Sequence, residues 1–254
     1  MMNWIGLKSF ILREMYRMFR VAIQTLFTPW ISAILFIYIF GEVVGKNILP
    51  IEGVSYIMFV LPGILMMNVL TSAFSHTSSS LYFHRFMRQI EEMLVAPLSH
   101  FEMILGYVVG GVVRGIIVGV GILLVGLFFG ATEIQHIGLF LLYVISVSVV
   151  FSLIGILVGL WAEGFEQFNM IAVFVITPLS FLGGVFNSVK MLPDSMQTFV
   201  MFNPFFYFID GIRYSMVGIS ESNLLVGVVM IIGLIVLLWS IVAYLFKIGW
   251  RLRS

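Results

Sequence analysis

The chain has no cysteine. Disulfides, thiolate nucleophiles and cysteine-held metals are therefore excluded together. Charge is scarce too: 10% of the residues are Asp, Glu, Lys or Arg, against about 25% in an ordinary soluble domain. The four histidines, His76, His84, His100 and His136, are scattered rather than clustered. No G-x-S-x-G elbow occurs, and no G-x-x-x-x-G-K-[ST] phosphate loop. Neither Gly6 to Ser9 nor Gly45 to Asn47 offers one, so ATP hydrolysis would have to come from another chain. The net charge of +1 provides no basic field for nucleic acid.

Apolar residues fill the place of the missing charge, at 61% of the chain. Such a chain cannot cover itself with a hydrated surface, so lipid must be its solvent. A span needs roughly 20 mostly apolar residues. Six stretches qualify, at about 21–41, 54–81, 103–130, 135–161, 168–187 and 224–246. The fold class is thus an all-α membrane protein with six transmembrane helices. Ala131-Thr132-Glu133 reads as a tight hairpin between the third and fourth spans. The first twenty residues carry Lys8, Arg13, Arg17 and Arg20 with no small-residue cleavage site, so no cleavable signal peptide is expected.

Orientation follows from the basic residues. With six spans, one side holds Lys8, Arg13, Arg17, Arg20, Arg85, Arg88, Lys247, Arg251 and Arg253. The other holds Lys46, Lys190 and Arg213. Both termini are expected in the cytoplasm of a bacterial inner membrane.

Residues 1–20 precede the spans as an amphipathic helix. Trp4, Leu7, Ile11, Met15 and Met18 share one face, and Gly6, Ser9, Arg13, Arg17 and Arg20 the other. This predicts a helix in the cytoplasmic interface. Glu14 borders the apolar face, either merely flanking it or reaching a protein partner. A second amphipathic helix is expected over about 84–96, ended by Pro97. Such a helix needs lipid or protein against its apolar face. The outward segment of about 188–223 is unusually aromatic and contains Asn203-Pro204. It reads as short helices dipping back into the outer interface.

Inside the spans, Arg114 is the costliest residue, about 2.5–3.5 kcal/mol at a helix centre. It lines a path or serves structure. Asn68, Thr71, Ser72, Ser75 and the following residues to Ser80 make the inner half of the second span polar. They bond to neighbouring helices or form a wall of a translocation route. Gly111, Gly115 and Gly119, with Gly155 and Gly159, have the small-xxx-small spacing of close helix contacts, within the chain or between subunits. Asp210 and Arg213 stand i, i+3 and could pair.

Three segments resemble one family. Arg88-Gln89-Ile90-Glu91-Glu92-Met93-Leu94-Val95-Ala96-Pro97 resembles the segment after span two of the ABC-2-type permeases. Thr177-Pro178 through Val185-Phe186 resembles their fifth span. Asn203-Pro204 through Tyr207, Asp210, Gly211, Arg213 and Tyr214 resembles their re-entrant segment. The tail from Gly249 to Ser254 resembles that of the YadH-type permeases of proteobacteria. The resemblance covers essentially the whole chain.

It implies a type V exporter-like membrane domain over 21–254, with residues 1–20 as a connecting helix. The permease would form a homodimer docked on two copies of a separate ATPase that holds ATP and Mg. This chain would hold no cofactor. Helix 84–96 would be the coupling helix, with Arg88, Glu91 and Glu92 as ATPase contacts and Glu14 within reach of it. Arg114, Asn68, Thr71 and Ser75 would line the path, and Asn203, Pro204, Tyr207, Asp210 and Arg213 an outer gate. The cargo would be an amphiphile (drug, lipid or glycan) moved outward. Two other classes remain open. An ion-coupled transporter would want midplane carboxylates, and none stands in a span centre. An intramembrane lipid enzyme would want a clustered acid–histidine set, and only Glu163 and Glu166 come close.

Overall fold

The computed structural model describes residues 3–45, 48–130 and 133–252, with Glu42 by its backbone alone. Expectations resting on Lys46, Asn47, Ala131, Thr132, Arg253 or Ser254 lie outside these residues. Among the described residues there is no strand, only an isolated bridge between Ile51 and Val54.

In chain order the helices are α1 (Trp4–Arg20), α2 (Thr28–Tyr38), α3 (Tyr56–Phe86), α4 (Gln89–Val95), α5 (His100–Phe128) and α6 (Ile137–Trp161). They continue with α7 (Phe165–Ile171), α8 (Thr177–Leu182), α9 (Asp194–Met201), α10 (Pro204–Val217) and α11 (Leu224–Ile248). Among the described residues, six helical stretches are long and apolar enough to cross a bilayer. The first is Ile23–Gly41, which contains α2. The fifth is Phe165–Leu182, joining α7 and α8. The other four are α3, α5, α6 and α11.

Two of the spans are wound wider just before a proline. A π segment, Ile23–Phe27, precedes Thr28-Pro29, and another, Ala172–Ile176, precedes Thr177-Pro178. Proline has no N–H for the carbonyl four residues back, so the helix must loosen there.

α3, α5 and α6 make the centre of the bundle. Small residues let their backbones meet. A Cβ on Gly111 would lie 2.2 Å from Ser152 Oγ, and one on Gly155 2.0 Å from Thr77 Oγ1. The glycine spacing therefore serves packing within the chain. The first, fifth and sixth spans lie at the periphery, largely exposed.

α3 has 31 residues, about 46 Å at 1.5 Å per residue. That exceeds a hydrocarbon core of about 30 Å. α5 is nearly as long. The excess carries α1. Asn3 N–H donates to Glu102, Phe10 lies against Gly106, and Glu14 lies beside Gly110. These contacts step along both helices together, so α1 runs parallel to the first half of α5. Its buried face is Leu7, Phe10, Glu14 and Met18. The predicted apolar face is therefore rotated: Trp4 is exposed, and Glu14 has turned inward. The glycine groove of α5 explains the rotation, because it admits Phe10 and the Glu14 stem.

Candidate functional site

The expected helix over 84–96 is two pieces. α3 continues through His84 and Arg85 to Phe86. The chain then turns at Arg88, whose φ of 56° is left-handed. α4 follows and stops at Val95. Ala96 is extended, as the residue before a proline must be. Ile90 and Met93 anchor α4 in the core, leaving Arg88, Glu91, Glu92 and Val95 exposed. The seam between α1 and α4 is an open cavity of about 300 Å³ bordered by Gly6, Arg13, Glu92 and Pro97.

Local hydrogen bonds hold this corner together. Ser99 caps α5 and forms a reciprocal box with Glu102: Ser99 N–H donates to Glu102 Oε2 at 2.6 Å. Asn3 Nδ2 donates to Pro97 O at 3.1 Å. One carboxylate, Glu102, thus ties the starts of α1 and α5. The Ser-x-x-Glu spacing at 99–102 is the sequence signal for it.

Glu14 does not reach the surface where the ATPase contact was expected. Its carboxylate is fully buried. Arg17 Nη2 donates to Oε2 at 3.1 Å, and Ser80 Oγ donates to the same oxygen at 2.7 Å. His76 Nε2 lies 3.3 Å from Oε2, and His84 Nε2 3.7 Å from Oε1. Burial pushes the Glu14 carboxyl up. The contact with His76 and the charge of Arg17 outweigh it and hold the carboxyl far below the ordinary range. The network extends outward from there. His84 Nδ1 is 2.7 Å from Tyr107 Oη, and Arg13 Nη2 is 3.0 Å from Met93 Sδ on α4. It joins α1, α3, α5 and α4. Sequence spacing gave no sign of it, because its members lie as far apart as Arg13 and Tyr107.

Arg114 belongs to this region rather than to the wall of the second span. Nη2 donates to Thr25 O at 3.3 Å. Thr25 stands at the start of the first span, so Arg114 lies near its inner boundary, not at its centre. Asn68, Thr71 and Ser75 fall elsewhere, on a half-open face of α3. Asn68 and Thr71 donate to carbonyls of their own helix. Ser72, His76, Thr77, Ser78 and Ser80 are buried. No described hydrogen bond joins Arg114 to the open face.

The outer residues form a second buried cluster. Asn203 caps α10 by accepting from Phe205 N–H, and Pro204 takes its first turn. Asn203 Nδ2 donates to Leu179 O at 2.7 Å, so the irregular backbone is buried in protein. Tyr207 is half-buried and donates to Met201 O. Asp210 and Arg213 are fully buried, but not as the predicted pair. Asp210 accepts from Ser220 Oγ, Glu221 N–H, Ser222 N–H and Ser222 Oγ, closing the loop after α10. Arg213 donates to Phe59 O and Gly184 O, and its guanidinium lies 3.9 Å over the Phe59 ring. It thereby joins α10, the first turn of α3 and the turn at Gly183-Gly184. Both side chains found closer partners across the fold. Nearby, the Glu52 carboxylate holds the Lys190 ammonium pKa above the ordinary lysine value by accepting its hydrogen bond.

Among the described residues no group of three His, Asp or Glu side chains is placed to hold a metal. The site is a set of mechanical joints: an exposed edge on α4, a polar network behind it, a half-open stripe on α3 and a locked outer turn. Residues 6–217 match the family model described as ABC-2 type transporter. The inner membrane transport permease YadH of Escherichia coli strain K12 is 39% identical over 243 residues, covering 94% of this chain and 95% of that protein. Nodulation protein J of Rhizobium leguminosarum biovar viciae is 30% identical over 194 residues, covering 74% of this chain and 73% of that protein. The chain belongs to the ABC-2 type transporter family, and is a multi-pass inner-membrane permease, the membrane subunit of an ABC transporter.

Proposed function

We propose that this permease moves an amphiphilic substrate (drug, lipid or glycan) outward as a homodimer, driven by two copies of a separate ATPase that binds ATP and Mg. Both termini face the cytoplasm in this reading. The observation that carries it is the edge of α4. Two apolar residues fix that helix in the bundle, while Arg88, Glu91 and Glu92 stand free beside exposed Phe86, Met87 and Val95. A short helix mixing exposed charge and exposed apolar surface at the end of a span suits a protein partner better than water or lipid.

Motion of α4 would reach the bundle by two routes. One is direct, through the turn at Arg88 into α3. The other runs through Met93 and Arg13 to α1 and the Glu14 network. Glu14 is thus a positioning residue inside the permease. The half-open stripe of Asn68, Thr71 and Ser75 is the polar wall along which a substrate headgroup would travel. The outer cluster of Asn203, Pro204, Tyr207, Asp210 and Arg213 would close the far end.

The test is ATPase activity of a candidate partner subunit, purified with the permease in lipid. Wild type should co-purify with it and hydrolyse ATP. The double variant Glu91→Ala, Glu92→Ala should detach or uncouple it. If no ATPase associates and the double variant changes nothing, α4 is an interfacial loop and the reading fails.

A further inference from the structure

The cation at Arg114 is unbalanced. The residue is 9% exposed, and no carboxylate lies within ion-pair distance of it among the described residues. Nη2 donates to Thr25 O, and the buried Nε has no partner. The charged side chain that bears on it is Arg17, another cation. Glu14, the acid of this region, is occupied by Arg17, Ser80 and the two histidines. Arg17 holds that carboxylate, and Arg114 is left without an anion among the described residues. A guanidinium carries five N–H donors, and buried excess charge is costly unless an anion meets it.

Within one turn of Arg114 along α5 begins an apolar groove between the first span and α5. Phe27, Trp30 and Ile34 form one wall, and Ile117, Val120 and Leu124 the other. It encloses about 560 Å³, within the range of small-ligand sites. Arg114, Ile117, Gly121, Leu124 and Phe128 follow one stripe of α5. The groove therefore continues the line on which the guanidinium sits. Trp30 is fixed over Gly121, its indole N–H donating to Val118 O at 3.2 Å. A Cβ on Gly121 would lie 2.0 Å from Trp30 Nε1, so glycine is needed for this wall. A second cleft, against Ile34, Leu124 and Phe128, carries the groove to the end of α5. From Ile116 to Phe128 the run is about 18 Å at 1.5 Å per residue.

We propose that this groove holds an acyl chain of an anionic membrane phospholipid, with the phosphate seated on Arg114. A long, dry slot with an unpaired cation one turn beyond its inner end has the shape and charge of such a lipid. A neutral lipid would fill the slot and leave the guanidinium unanswered. The leaflet is the one bordering α1, where Arg17 and exposed Arg20 add to the attraction. The lipid belongs to the bilayer and wedges the first span against α5. The site does not depend on what the permease carries.

The test is lipid retention by the whole permease. Purified protein is equilibrated in mild detergent with equal amounts of phosphatidylglycerol and phosphatidylcholine of identical chains. Retained lipid is then identified by native mass spectrometry. Wild type should keep phosphatidylglycerol in preference by on the order of tenfold, the scale of one charge-assisted contact. Arg114→Gln should bring the ratio close to one while lipid still binds. Arg114→Lys should keep part of the preference, and it reads the charge if the Gln variant does not fold. Val120→Trp, which fills the groove, should lower both lipids with Arg114 intact. An equal ratio in wild type, an unchanged ratio in Arg114→Gln, or retention of an anion that is not a phospholipid overturns the proposal.

Discussion

Arg114 Nη2 donates to the carbonyl of Thr25 at 3.3 Å, the carbonyl that Pro29, four residues on, has no N–H to pair. The widened turn before a proline in one span thus supplies the acceptor for a cation on another. The bond is single and charge-to-neutral, so it does not repay the burial of the guanidinium. Arg114→Met, of similar length and no charge, should fold in detergent with stability within about 1 kcal/mol of wild type. Added phosphatidylglycerol should raise the melting midpoint of wild type and leave that of Arg114→Met unmoved. Thermal unfolding with and without the lipid checks both halves.

Glu14 should make stability depend on acid. Its carboxyl is held below the ordinary range in the folded chain. Such a group stabilises the fold above its unfolded pKa, about 4.3, and the benefit is lost as pH falls below that value toward the folded one. Wild type should therefore lose melting temperature between about pH 5 and pH 3. Glu14→Gln should start lower at pH 7, by about 3 kcal/mol, and fall less steeply over the same interval. Parallel slopes for the two proteins would remove Glu14 from this role.

The sequence and the fold agree where hydrophobic runs and prolines decide the structure. The six spans lie within a few residues of their expected places. Pro97 ends α4, and Asn203-Pro204 opens α10. What could not be read is the choice of partner across the bundle. Asp210 and Arg213 are one turn apart, yet each found a closer match elsewhere, in Ser222 N–H and in Phe59 O. Glu14 borders an apolar stripe and looks surface-bound. It turns inward because Gly106 and Gly110 open a groove and two histidines wait behind it. The break at Arg88 carries no glycine or proline, so helical periodicity runs straight through it. Local periodicity is encoded in each helix. Register between helices is encoded in pairs that a single chain does not announce.

Arg213 should be the most sensitive position of the outer cluster. It is fully buried, and its guanidinium bonds to two carbonyls and covers the Phe59 ring. Arg213→Ala removes the guanidinium's bonds to both carbonyls and opens a cavity. It should cost about 3–5 kcal/mol. Arg213→Lys keeps the charge but cannot span both acceptors with a planar fork, and it should lie between. Detergent melting of the three proteins gives the order. A melting curve for Arg213→Ala equal to wild type would show that the turn at Gly183-Gly184 holds itself.

Asp210 should control the loop that follows α10. It accepts four hydrogen bonds from Ser220, Glu221 and Ser222. Asp210→Ala releases two backbone N–H groups and two hydroxyls. The amides of Glu221 and Ser222 should then exchange hydrogen at least about tenfold faster, the equivalent of one lost bond. Exchange in α3 should stay unchanged, because Asp210 is not bonded to that helix. Equal exchange at 221 and 222 in both proteins would place the loop's order elsewhere.

Arg88 separates stability from coupling. Its φ of 56° is left-handed, a conformation that costs a side-chain-bearing residue roughly 1 kcal/mol and glycine nothing. Its side chain is exposed and makes no described hydrogen bond or ion pair within the permease. Arg88→Gly should therefore raise the stability of the isolated permease, by up to about 1 kcal/mol. The same change removes a charge from the edge proposed to meet the ATPase. Association with that subunit should weaken, and the permease-dependent share of its ATP hydrolysis should fall. A protein that melts higher and couples worse would show that the strained residue is kept for its contact. If Arg88→Gly melts higher and couples as well as wild type, the contact rests on Glu91 and Glu92 without Arg88.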